Sequence, residues 1–405
     1  MTKLTTMSSE KNGILRKILS SRWTWAIILL IFIRILSVQL AFMNVPVTDM
    51  TDGVFTDGGD GTSYFRITNQ ILNGNFNYEP HAIGFLIFLA PVILISGATT
   101  FAEIANIMAW ANGVFLYVLA TILVWILAKQ ILKSNKFANI SAFFFLIYPY
   151  VFYYLFDIFG TSGELVSSFK ETRFMQLSFL NVLSDPLSSV LAYASLALLF
   201  YVIVKERQMW VYALMGFLLS FFVITRTQNI FALFFFAPAL LVLKRYWGFV
   251  YFALASLPLG ILQMLANYVS GGSIFASPYG VTYGGPVLNI QMFSFKYPLR
   301  IITYPLDHNP FLLVVIIIAA ALVIYGLWRL IKEDRRLGWT VTSYLLIFTT
   351  PLFFIESVMR NPRYFLAVIP LIIIISLYSI RGIYLGHVKD KIEVKVRTEQ
   401  ERLHG

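Results

Sequence analysis

The chain has 405 residues, of which 58% are apolar and only 13% charged, and it carries 37 Phe, 22 Tyr and 8 Trp. Soluble domains carry about a quarter charged residues, so this composition excludes a soluble enzyme or a disordered chain and describes a polytopic membrane protein. The formal charge of +11 follows from the Lys and Arg that cytoplasmic loops collect, with no nucleic-acid partner needed, and the absence of Cys removes disulfides, thiolate metal sites and thiol nucleophiles.

In chain order, a basic leader over 1–22 holds Lys3, Lys11, Arg16, Lys17 and Arg22. The apolar stretch from Trp23 to Phe42 fits the ~30 Å hydrocarbon core and is too long for a cleavable signal core, which predicts an uncleaved anchor with its N-terminus inside. An acidic stretch over 44–80 follows, with Asp49, Asp52, Asp57, Asp60 and Glu79 against one basic residue, Arg66. Further apolar segments near 103–128, 138–156, 179–204, 208–225, 228–243, 248–268, 310–328, 339–358 and 364–382 bring the expected spans to ten. The run from Gly84 to Ser96 is short for a span and reads as an interfacial or re-entrant helix in the first outer loop. The expected fold is all-α and polytopic, with about 10 transmembrane helices and at most about 12.

If each span crosses, 22 of the 31 Lys and Arg residues fall on one side: the leader, Lys129, Lys133, Lys136, Lys205, Arg207, Lys244, Arg245, Arg329, Lys332, Arg335, Arg336 and the tail from Arg381 onward. By the positive-inside rule that side is cytoplasmic. The chain then divides into a leader over 1–22, a transmembrane domain over 23–386 and a charged tail over 387–405. It is expected as a multi-pass protein of the plasma (inner) membrane with both termini cytoplasmic. The outer face receives the acidic loop 44–80, the loops 157–178 and 269–309, and the turn Met359-Arg360-Asn361-Pro362-Arg363.

With His81, His308, His387 and His404 as the only histidines, there is no His-Glu-x-x-His pair, and neither a Walker loop nor a nucleophile elbow is present. What remains is carboxylates and arginines on one face. Asp57 and Asp60 precede Tyr64 and Arg66 on a segment suited to a short helix; an Asp in a partly desolvated site can act as general base toward a hydroxyl or amine. Asp57 is equally a turn former. Arg360 and Arg363 can hold a phosphate by charge-assisted hydrogen bonds or anchor helix ends at the interface.

The order of these features resembles the GT-C superfamily of integral membrane glycosyltransferases, which use polyprenyl-phosphate sugars and include the protein O-mannosyltransferase and aminoarabinose transferase families. The resemblance rests on Asp60-Gly-Thr-Ser-Tyr64, Ile71-Leu72-Asn73-Gly74 and Tyr78-Glu79-Pro80-His81-Ala82-Ile83-Gly84-Phe85-Leu86. It continues through Leu183-Ser184-Asp185-Pro186-Leu187, Thr225-Arg226-Thr227-Gln228 and Arg363-Tyr364-Phe365 with Pro370. Two positions depart from it: Gly61 follows Asp60 where the O-mannosyltransferases pair Asp with Glu, and Pro80-His81 stands where the family has two prolines.

The resemblance implies Asp60 as catalytic base, Arg363 as the group that neutralises the leaving phosphate, Arg360 as its helper, and a single displacement with inversion. The donor is expected to be a polyprenyl-phosphate sugar embedded among membrane lipids, and the acceptor a glycan, lipid or protein. Family members occur with and without a divalent metal, so a possible divalent metal stays open and no other cofactor is implied.

Several residues carry two readings. Asp185 opens a helix ahead of Pro186 and serves as a cap or a substrate contact. Arg226, flanked by apolar segments, is costly in lipid and either serves the site or snorkels. His81 contacts acceptor or phosphate, or sits at the interface. Tyr279 and Tyr283, among the glycines of loop 269–309, suit a mobile lid over the sugar. A transporter or lipid flippase with Arg34 and Arg226 along its path is the rival from another class. A polysaccharide polymerase or ligase is the nearer alternative.

Overall fold

The computed structural model describes residues 22–44, 60–76, 78, 80–159, 179, 183–205, 208–276, 294, 298–299, 303, 310–354 and 362–384. Among them every regular element is helical. Such a chain can bury its backbone polar groups in a bilayer without an open sheet edge.

Helix α1 (Arg22–Asn44) is apolar on all sides, and a short amphipathic α2 (Asp60–Leu72) and an apolar α3 (Ile83–Ser96) follow. Helix α4 (Phe101–Trp110) opens with a reciprocal cap in which Thr100 Oγ1 accepts from the Glu103 N–H and the Glu103 carboxylate accepts from the Thr100 N–H. A π-helical turn, Ala111–Leu116, joins it to α5 (Tyr117–Leu132). Next come α6 (Asn135–Phe159), α7 (Asp185–Val204), α8 (Met209–Thr225), a 3-10 turn (Thr227–Ala232) and α9 (Leu233–Val242). Helices α10 (Tyr246–Gly271), α11 (Pro310–Glu333) and α12 (Arg335–Phe353), a 3-10 turn (Pro362–Phe365) and α13 (Ile369–Tyr384) complete the order.

Four described helices are long and apolar enough to cross a membrane: Ala111–Leu132, Asp185–Val204, Tyr246–Gly271 and Leu313–Glu333. The apolar run near Gly84 to Ser96 is indeed one of the shorter apolar helices; at 1.5 Å per residue α3 extends about 21 Å, less than the hydrocarbon core. Two expected segments are re-cut. The helix in 179–204 starts only at Asp185, with Ser184 at the cap position and Pro186 in the first turn. The segment 228–243 divides into a 3-10 turn and a ten-residue helix, and Arg226 ahead of it takes an extended conformation (φ −152°, ψ 129°) that ends α8.

Helix α7 is the hub. It packs on α5, α8 and α12, and 72% of its apolar window is buried, against 6% for α10 and 11% for α11. Leu254, Leu257, Ile261 and Leu265 of α10 are exposed, an apolar band suited to lipid. Small residues let α8 and α10 approach closely: Gly216 lies against the Phe252 backbone, Ser256 Oγ donates to Gly216 O at 3.0 Å, and Ser220 Oγ donates to Ser256 O at 2.9 Å. Arg34 does not reach water. It is 1% exposed, its Nε donates to Gly113 O in the π turn at 2.7 Å, and its guanidinium lies 4.2 Å from the Tyr117 ring centre.

Candidate active site

At one end of the bundle, the start of α7, the break after α8, the 3-10 turn before α13, helix α2 and the segment leading into α3 converge. Each is placed by a local cause. Pro186 suits the first turn of α7, which places Asp185 at the very start of that helix. The extended Arg226 ends α8, and its side chain turns back into the bundle at 9% exposure. Gly84 lets α3 lie directly on Thr225: a Cβ at that position would come within 2.6 Å of Thr225 Oγ1 and 2.7 Å of its backbone nitrogen. The approach carries His81 and Tyr78 toward the site.

The centre is a buried charge cluster. Asp185, only 3% exposed, forms an ion pair with Arg226 through Oδ1, and its Oδ2 lies 3.8 Å from Arg363 Nη1. The Tyr364 ring supports both cations, with its centre 4.3 Å from the Arg226 guanidinium carbon and 5.4 Å from that of Arg363. The Gln228 side-chain oxygen, in the amide orientation that suits both groups, accepts from Arg226 Nε at 3.0 Å and Nη2 at 3.1 Å. Behind them Asn229 Nδ2 donates to Ser188 Oγ at 2.8 Å and to Phe222 O at 2.7 Å, and Tyr193 donates to Leu366 O, tying the turn after Tyr364 to α7.

Among the described residues one carboxylate faces two guanidiniums in a low-dielectric surrounding. Such an arrangement favours an anion, and forked guanidinium donors match phosphate oxygens. Tyr64 and Ser184 hydroxyls lie 3.3 Å apart, and the His81 ring stands edge-on to Tyr64 at 5.8 Å between centres, so α2 and the approach to α3 close over the same spot.

The structure therefore brings together Tyr64, His81, Asp185, Arg226 and Arg363. Asp60 opens α2 one turn before Tyr64, on the same helical face by position; its side chain, together with Asp57, Arg360, Tyr279 and Tyr283, lies outside the described residues. Of the two readings of Asp185, the geometry has Ser184 at the cap position and the Asp185 carboxylate on the arginines. Arg226 is held inside the bundle and does not snorkel. Sequence reasoning had Ser184, Gln228 and Tyr364 only as members of the resembling stretches, without a role, and did not name Ser188 or Asn229. A signal was there for one of them: Asp185 and Ser188 are three apart on an apolar helix, hence on one face.

With fold and site described, comparison with solved structures finds similarity to an archaeal oligosaccharyltransferase from Archaeoglobus fulgidus. AglB in complex with an inhibitory peptide and a dolichol-phosphate superposes with a TM-score of 0.55 at 14% identity, over 92% of this chain and 52% of that one. The fold is the GT-C fold. The apo form of the A. fulgidus enzyme gives 0.52 at 15% identity over 92% and 52%, and its complex with Zn and sulfate gives 0.50 at 17% identity over 91% and 50%. The chain thus spans about half the length of the structures it resembles. No protein-family model and no curated protein sequence matches it.

For the divalent metal left open by the sequence, the described residues hold no group of three His, Asp or Glu side chains that converge as ligands.

Proposed function

We propose that this chain is an integral membrane glycosyltransferase that moves a sugar from a polyprenyl-phosphate donor to an acceptor on the extracytoplasmic face. The observation that carries the proposal is the buried Asp185 carboxylate between Arg226 and Arg363, with Tyr364 beneath both cations. Paired guanidiniums of this kind suit the donor phosphate, and the GT-C fold shared with an oligosaccharyltransferase supports the reading. That neighbour was solved with an inhibitory peptide and a dolichol-phosphate, an example of a lipid phosphate bound on this fold. Here the acceptor class is a glycan, a lipid or a protein.

In this mechanism Asp60 takes the proton from the acceptor hydroxyl or amine, with Asp57 as the second carboxylate. The freed lone pair bonds to the anomeric carbon as the bond from that carbon to the phosphate oxygen breaks, so the configuration inverts. The bonding electrons leave on the polyprenyl phosphate, whose charge Arg363 and Arg226 meet, with Arg360 joining from the adjoining turn. Asp185 holds the two guanidiniums in register as a positioning residue. Tyr64 and His81 line the acceptor side, and Tyr279 and Tyr283 cover the sugar. The proposed topology has ten crossings, α3 lying at the outer interface, and both termini cytoplasmic.

The test is sugar transfer from radiolabelled polyprenyl-phosphate sugars in membranes. Asp60→Asn is expected to lower transfer about 10²- to 10⁴-fold, the usual contribution of a general base. Transfer at the wild-type rate by an inserted Asp60→Asn protein removes Asp60 from this role. Adding and chelating divalent cations in the same assay decides whether a metal takes part.

A further inference from the structure

At the end of the bundle opposite the Asp185 cluster, a cleft of about 760 Å³ opens between the last turns of α9 and the first half of α12. The direction of the helices sets this position. The chain travels from Arg226 to Lys244 through the 3-10 turn and α9, and α12 begins at Arg335 and runs about 28 Å toward the turn that carries Arg363.

The cleft has two kinds of wall. Phe235, Ala239 and Ile347 make an apolar floor, and Lys244, Arg335 and Arg336 stand exposed around its mouth. Trp339, half exposed, and Ser343 lie between floor and mouth, where an indole meets lipid headgroups best. Among the described residues no carboxylate lines the cleft. The neighbouring acids are already engaged: Asp334 accepts from the Leu337 N–H at 3.2 Å and pairs with Lys133 at 3.2 Å, and Glu333 is bound by Arg329 and Tyr378. The three cations at the mouth make no ion pair among the described residues. Lys244 also holds a left-handed backbone conformation (φ 57°), a position that glycine or asparagine fills more cheaply after a helix end.

Cations with free donors above an apolar groove between membrane helices complement one amphiphile: a phosphate with a hydrocarbon chain attached. We propose that this cleft binds one anionic glycerophospholipid of the adjacent leaflet. Its phosphate sits among Lys244, Arg335 and Arg336, and one acyl chain lies along Phe235, Ala239 and Ile347. The site is separate from the sugar-transfer site and does not depend on that activity.

The test uses the purified full-length chain in uncharged detergent micelles with added phosphatidylglycerol or phosphatidylcholine of matched acyl length, read by native mass spectrometry and by the thermal midpoint. The wild-type protein is expected to retain one phosphatidylglycerol in preference to phosphatidylcholine and to gain a few degrees in midpoint from the anionic lipid only. Lys244→Gln with Arg336→Gln should weaken phosphatidylglycerol binding about fivefold per cation removed. Ala239→Trp, which fills the floor and leaves the cations in place, should abolish the retained lipid. Both variants should match the wild-type midpoint in phosphatidylcholine, which separates lost binding from lost folding. Undiminished phosphatidylglycerol retention by either variant, or an equal midpoint gain from inorganic phosphate alone, overturns the proposal.

Discussion

Asp185 and Arg226 are separated by 41 positions in the chain, yet each is the other's nearest opposite charge in an environment with almost no water. Two charges taken out of water lose hydration free energy that their attraction only partly returns, so a buried pair is kept for its geometry more than for stability. Removing one partner is another matter, because the survivor is left as an uncompensated buried charge. Asp185→Ala is expected to destabilise the protein by about 3–5 kcal/mol, measured by chemical unfolding in micelles. Arg363 is a looser member, 3.8 Å from the carboxylate. Its truncation should leave the unfolding midpoint nearly unchanged and weaken donor binding about 10- to 100-fold, in line with a lost hydrogen bond to a charged group. An Arg363→Ala protein that binds donor normally and is only poorly expressed would return Arg363 to an anchoring role. The ion pair was not legible in the sequence, which shows only that each charge is costly in an apolar setting. Which partner offsets that cost is a question of chain folding.

Helix contacts raise the same issue one level up. The close approach of α3 to the end of α8 depends on hydrogen in place of a methyl at Gly84, because any Cβ there strikes the Thr225 backbone as well as its hydroxyl, and the backbone cannot yield by rotating a side chain. Gly84→Ala should therefore cost about 1–3 kcal/mol and disturb the site through displacement of His81. Gly260, in the middle of α10, has open space where a Cβ would point. Gly260→Ala is expected to stabilise by about 0.5–1 kcal/mol through the lower backbone entropy of the unfolded chain. If the two substitutions shift stability alike, close packing at Gly84 is not what positions α3. Element existence was readable from runs of apolar residues, and the shortness of 83–96 was plain in its count. Where helices begin and end was less so. The extended break at Arg226 and the π turn beside Arg34 arise because a buried guanidinium must meet an oxygen, a demand that local propensity does not express.

For the molecule as a whole, charge sorting and packing speak to different things. Lys133 and Asp334 tie the α5 and α11–α12 ends together, and Gly271 at the last turn of α10 abuts Pro80 beside the site, so two ends of the bundle are defined by contact. The chain has no cysteine, and a single introduced thiol is thus a unique label. A membrane-impermeant maleimide should label Ser273→Cys in intact cells and label Lys133→Cys only after permeabilisation. The reverse pattern would invert the proposed topology and place the cluster in the cytoplasm.

The sequence by itself determined that this chain lives in a bilayer, and it led to the expectation that its cations crowd one side and its acids collect on the outer face. Those are sums over many residues, set by the transfer free energy of side chains between water and lipid, and they do not depend on which helix touches which. The resemblance to the GT-C superfamily was also legible, through the order of motifs. Only the tertiary structure decided that α7 is the hub and that residues 64, 81, 185, 226 and 363 come together at one end of the bundle. It alone assembled Lys244 with Arg335 and Arg336 around a second, apolar cleft. Contacts of this kind join positions dozens to hundreds of residues apart, and packing geometry, not composition or local periodicity, selects them.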